Sequence, residues 1–214
     1  EYNVAIGNYS LDALTSGDLN TAVGYNSGTS LTTGVRNVII GGDAARNVAQ
    51  GSSMVIIGDN ALGTGVATGS ENVIIGRNAG EDITSAVESC YVGYEAGLNA
   101  TTGDGNTVLG KLAGNDMTSA DQNVLIGEDA GANITTADAN VIIGQGAGET
   151  LTTGTYNIYI GVNAGNGHDA EGSNIGIGFD ALGGSIVAGG ENNVALGIYA
   201  LDALTSGDYN NAIG

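Results

Sequence analysis

The stretch Asn37-Val38-Ile39-Ile40-Gly41 returns, with variations, along the whole chain. Taking its last residue as an anchor, glycines fall at 7, 24, 41, 58, 76, 93, 110, 127, 144, 161, 178, 197 and 214. Ten of the twelve intervals between them equal seventeen, one equals eighteen and one nineteen. A fixed period of this size marks a stacked array in which each unit packs on its neighbours. Residues 1–214 therefore read as one continuous repeat array, a segment of a longer fibre, because neither end carries an atypical capping repeat.

With Asn as position 1 of the repeat, position 4 is aliphatic in every copy, from Ile6 to Ile213, and position 2 is mostly Val or Thr. A short β-branched run closed by glycine makes a strand, since a helix of that length would not hold and glycine opposes one. Position 8 is small throughout, Ser10 and Ser27 first and alanine from Ala44 to Ala200, which points to a cramped interior or a tight turn. A second apolar-Thr-Thr/Ser phrase follows, as in Leu31-Thr32-Thr33 and Leu151-Thr152-Thr153. The expected fold is thus all-β: a parallel β-solenoid, or β-roll, of about 17 residues per coil with two short strands in each. At about 4.8 Å per coil, twelve intervals span roughly 58 Å.

Position 3 points opposite to positions 2 and 4, because side chains alternate along a strand. It is apolar too, so both strand faces are expected to be covered. With positions 2 and 4 assigned to the coil interior, position 3 becomes the expected oligomer interface: Ile39, Ile56, Ile74, Tyr91, Val108, Leu125, Ile142 and Tyr159. Stacked asparagines suit an amide ladder. Asn3, Asn20, Asn37, Asn72, Asn106, Asn123, Asn140, Asn157, Asn174, Asn193 and Asn210 fill position 1, broken only by Met54 and Ser89.

Composition narrows function more than it identifies it. Four basic residues (Arg36, Arg46, Arg77, Lys111) face 23 acidic ones, a formal charge of −19. Nucleic-acid binding needs neutralising cations and is set aside, as is attraction to anionic lipid. No apolar run approaches the length of a membrane span. Cys90, the only cysteine, reads as a small buried hydrophobe at position 2. His168, the only histidine, occupies position 12, where most other coils put Leu, Ile or Met, and reads as a variant strand residue rather than a catalytic base. A zinc site fails on ligand count. Glu81-Asp82 and Glu128-Asp129 are the places where structural calcium would gather oxygens, although the calcium-binding nonapeptide of other β-rolls is absent. No enzyme activity and no cofactor are expected. The longer intervals contain Gly63-Thr64-Gly65 and Gly183-Gly184-Ser185 and read as local bulges.

The phrase Asn20-Thr21-Ala22-Val23-Gly24-Tyr25-Asn26-Ser27-Gly28, with Leu31-Thr32-Thr33-Gly34, resembles the 17-residue repeats of phage-type tail fibres and large bacterial surface proteins. More distantly, Ala5-Ile6-Gly7 with Ser10 is similar to the head repeats of trimeric autotransporter adhesins. The resemblance covers the whole chain. It implies a left-handed parallel β-roll, a parallel homotrimer, and an extracellular, cell-surface or virion location. The expected function is the shaft or stalk of such a fibre, presenting a distal tip. The alternative is an adhesin-type module that recognises glycan or a host surface through exposed turns. An ice-binding solenoid is a remote third reading, since its face would need two outward threonines per coil separated by one residue, whereas here the pair is adjacent and points to opposite faces.

Overall fold

The computed structural model describes residues 1–65, 67–184 and 190–214. Among these residues, thirteen three-residue strands form one parallel sheet in sequence order. They are β1 (Val4–Ile6), β2 (Thr21–Val23), β3 (Val38–Ile40), β4 (Val55–Ile57), β5 (Val73–Ile75), β6 (Cys90–Val92), β7 (Thr107–Leu109), β8 (Val124–Ile126), β9 (Val141–Ile143), β10 (Ile158–Ile160), β11 (Ile175–Ile177), β12 (Val194–Leu196) and β13 (Asn211–Ile213). Every pair is in register by repeat position, so Ile39 lies on Ile56 and Ile56 on Ile74. The chain is an all-β parallel solenoid with one turn to each repeat of about seventeen, and no helix occurs among the described residues.

The corners need backbone conformations that L side chains avoid. Position 7 sits in the left-handed region in coil after coil (Asn60 at φ 54°, Asn78 at 54°, Asp180 at 57°). Asparagine and aspartate tolerate that region better than most residues. The anchor glycine is required twice over. Gly41 has φ 142°, and a Cβ there would lie 2.2 Å from the Gly58 carbonyl oxygen of the next coil. No side chain fits, which is why the period is written in glycine.

Among the described residues each coil carries one strand and not two. In the Thr-Thr phrase the backbone N–H groups of Thr15 and Ser16 both donate to the Thr32 carbonyl, at 2.9 and 3.2 Å. The same convergence recurs from Thr101 and Thr102 onto Thr118. Two successive donors on one acceptor cannot continue a ladder, because strand N–H groups point alternately to opposite sides. The threonine hydroxyl adds to this bond instead, as Thr32 Oγ1 does to Ala49 O at 2.8 Å.

The core runs along the axis. Position 3 supplies it, together with the alanines of position 8 and the aliphatics of position 12 such as Leu31, Ile83 and Leu151. Large and small residues compensate between columns. Tyr91 at position 3 shares its coil with Ala100 at position 12, and Tyr159 lies against Gly176 of the next coil. The bulge at Gly63, Thr64 and Gly65 is bonded down to Glu81, with Thr64 and Gly65 amides donating to its carbonyl at 3.1 and 2.9 Å. Of the second bulge, Gly183 and Gly184 are described, whereas Ser185 lies outside the described residues.

Candidate functional site

The strand face assignment made from sequence is reversed. Ile39, Ile56, Ile74, Tyr91, Val108, Leu125, Ile142 and Tyr159 are all 0% exposed within a single chain, so they fill the coil and leave no surface for an oligomer. The outward residues are those of positions 2 and 4. Val55 and Ile57 flank buried Ile56, and Val141 and Ile143 flank buried Ile142 in the same way. Only one face of so short a strand can point at the axis, and the alternation sends its neighbours out.

The solenoid therefore presents a strip two side chains wide and thirteen strands long, almost entirely Val, Ile and Leu. Polar or sulfur atoms enter it at Thr21, Cys90, Thr107 and Asn211, all in position 2. Stacking leaves most members more than half covered by the coils above and below; Leu109 at 46% and Ile40 at 37% are among the more exposed. Allowing on the order of 35 Å² for each outward side chain gives a strip of roughly 900 Å², above the few hundred Å² usual for a monomer's largest patch. Cys90 is half-buried in the middle of this strip rather than in the core, and burial raises its thiol pKa.

Charged residues border the strip. Position 17, immediately before each asparagine, carries Arg36, Glu71 and Glu88, all exposed. Position 6, immediately after each anchor glycine, carries Asp59, Arg77, Lys111 and Glu128, also exposed. Lys111 Nζ donates to Glu128 Oε1 at 2.7 Å, and the Arg77 guanidinium lies over the Tyr94 ring, 5.7 Å from its centroid. Three of the chain's four cations thus flank this one face.

The asparagine column lies behind the strip's margin. Asn37 Nδ2 donates to Gly51 O at 2.8 Å and to Asn20 Oδ1 at 3.0 Å, and the Asn37 backbone amide donates to the same oxygen at 3.0 Å. The pattern runs on through Asn106, Asn123 and Asn140. Nine of the asparagines are buried, with Asn3 and Asn210 part-buried at the ends, so the column is bonded inward and offers nothing to a ligand. At Ser89 the hydroxyl takes over as acceptor for the Asn106 amide, at 3.1 Å.

His168 lies in the interior, off any strand, with its ring 5.5 Å from that of Tyr159 and Nδ1 3.4 Å from Asn174 Nδ2. Burial pushes its pKa down to about 4, opposed by the charge of Glu171. It makes no hydrogen bond to a serine or a carboxylate among the described residues. Nor, among those residues, does any group of three or more His, Cys, Asp or Glu side chains converge; Glu81-Asp82 and Glu128-Asp129 stand alone. No helix among the described residues is long and apolar enough to cross a membrane. No family model, no curated protein and no solved structure matches this chain.

Proposed function

We propose that the protein is a non-catalytic structural shaft, a stiff segment of an extracellular or virion fibre, whose copies associate side by side in parallel through the outward face of their strands. One observation carries this reading: the largely apolar strip of positions 2 and 4, aliphatic in every strand at position 4. Hydration of such a strip is unfavourable by about 25 cal/mol for each Å² of apolar surface. Its area per copy is close to the roughly 800 Å² that each partner of a stable complex contributes. The acidic charge of −19 opposes association but is carried by turns and screened beyond about 8 Å in physiological salt. A trimer follows from the resemblance to adhesin heads, with the strips turned toward a common axis. The rod shape suits a spacer, because contacts made only between adjacent coils let length grow without a larger core.

Light scattering on the purified chain tests the reading. Dimers or trimers at micromolar concentration are expected, and the thiol of Cys90 should react more slowly in them than in diluted monomer. A monodisperse monomer at that concentration would overturn the proposal.

A further inference from the structure

Resting on self-association through the strip, we propose that Arg77 sets the alignment of neighbouring copies by pairing with Glu71 of the adjacent copy, Glu88 lying one strand further along. In any closed assembly whose symmetry axis runs along the shaft, the position-6 margin of one copy meets the position-17 margin of the next. Closure forbids a net slip, so each strand meets its own equivalent. At the level of β5 that places Arg77 against Glu71. The other two marginal cations also find an acid one strand away, about 4.8 Å along the axis. Lys111 at β7 is one level from Glu88, and Arg36 at β3 is one level from Asp59. No like-charged pair meets at the same level.

The opposite arrangement is poorer. An antiparallel pair centred on β7 brings equal margins together, setting Lys111 on Lys111 and Arg77 on Gln145, with no opposite charges at the same level. Arg77 is also the cation that a partner would use best. Within its own chain the ion pairs among the described residues are the N-terminal ammonium of Glu1 with Asp18, Arg46 with Asp43 and Lys111 with Glu128. Arg77 has none among them, and stacking on Tyr94 holds its guanidinium on the margin. Glu71 is on the far side of the strand from it, so the two pair only between copies.

Charge reversal tests this on the full chain. Arg77→Glu should weaken association about tenfold, as expected when a rim attraction becomes a repulsion, and Glu71→Arg should do the same. The double variant should recover most of the loss, which intrachain effects could not produce. Unchanged affinity in Arg77→Glu, or no recovery in the double variant, would overturn the pairing while leaving self-association standing; a monomeric wild type would instead remove the reading beneath it. Orientation is read separately in a Cys90→Ser background. A short bis-maleimide should join copies carrying Val55→Cys to one another. Cross-linking of Val55→Cys only to copies carrying Ile158→Cys would show antiparallel packing and refute the alignment.

Discussion

Removing the Asn123 side chain should cut two buried backbone bonds, and the cost can be worked from the geometry. Asn123 Nδ2 donates to Ala137 O at 2.8 Å, and Asn123 Oδ1 accepts the Asn140 amide at 3.0 Å. Ala137 and Asn140 are both buried, and among the described residues no other hydrogen bond engages this carbonyl or this amide. An orphaned buried group costs about 1–3 kcal/mol, so Asn123→Ala should destabilise by about 4 kcal/mol once the small cavity is included. The chain contains its own control. Ser89 shows that a serine in this column still accepts the next amide, so Asn123→Ser should orphan only the Ala137 carbonyl and cost about half as much. Global unfolding of a repeat array need not be two-state. The assay is therefore amide hydrogen exchange at Asn140, together with the urea midpoint at fixed protein concentration. Exchange at Asn140 should accelerate strongly in the alanine variant and little in the serine variant. Equal protection of Asn140 in wild type and alanine variant, or equal cost of the two substitutions, would refute the reasoning.

Glycine substitutions should separate close approach from conformation. Gly110→Ala places a Cβ 2.2 Å from the Gly127 carbonyl oxygen and should abolish stacking there. Gly105→Ala meets only Gln122 Cγ, at 3.7 Å, and its φ is 67°. That change should cost about 1 kcal/mol, for the left-handed backbone alone, and melting temperatures compare the two variants. Acid should loosen the coil around His168. Its folded pKa is held down to about 4 from 6.5, so the unfolded chain takes the proton first and stability is lost as pH falls from 6.5 toward 4. The full shift corresponds to roughly 3 kcal/mol, and His168→Leu should remove that part of the pH dependence in urea titrations between pH 7 and 4.5. A peptide spanning residues 37–58 should be disordered by circular dichroism, since one coil has no neighbour to bury it.

Much of this architecture is written in the repeat. The anchor glycines mark the ends of the strands, and the asparagine column predicts an amide ladder whose bonds run from Asn3 to Asn210 with a gap after Met54. The face assignment failed for a physical reason. Val-Ile-Ile is apolar at every position, so alternation alone does not say which side is in. The deciding signal lay in the exceptions. Position 2 admits Thr21, Cys90, Thr107 and Asn211, while position 3 admits no polar group smaller than tyrosine and trades size instead, as Tyr159 does with Gly176. Within the strand, the column that admits Thr, Cys and Asn faces outward, and the column that trades volume is core. The second expected strand failed because the Thr-Thr phrase has strand composition but bonds its two amides to one carbonyl, which composition does not reveal.

Sedimentation velocity and circular dichroism on two variants test the central claim most directly. Ile57→Asp, Ile75→Asp and Ile126→Asp together charge the outward strip, and Ile56→Asp alone charges the interior beside them. The outward triple variant should sediment as a folded monomer with wild-type β-sheet dichroism, while the single inward change should lose that dichroism. A triple variant that stays oligomeric, or an Ile56→Asp chain that stays folded and falls to monomer, would contradict it.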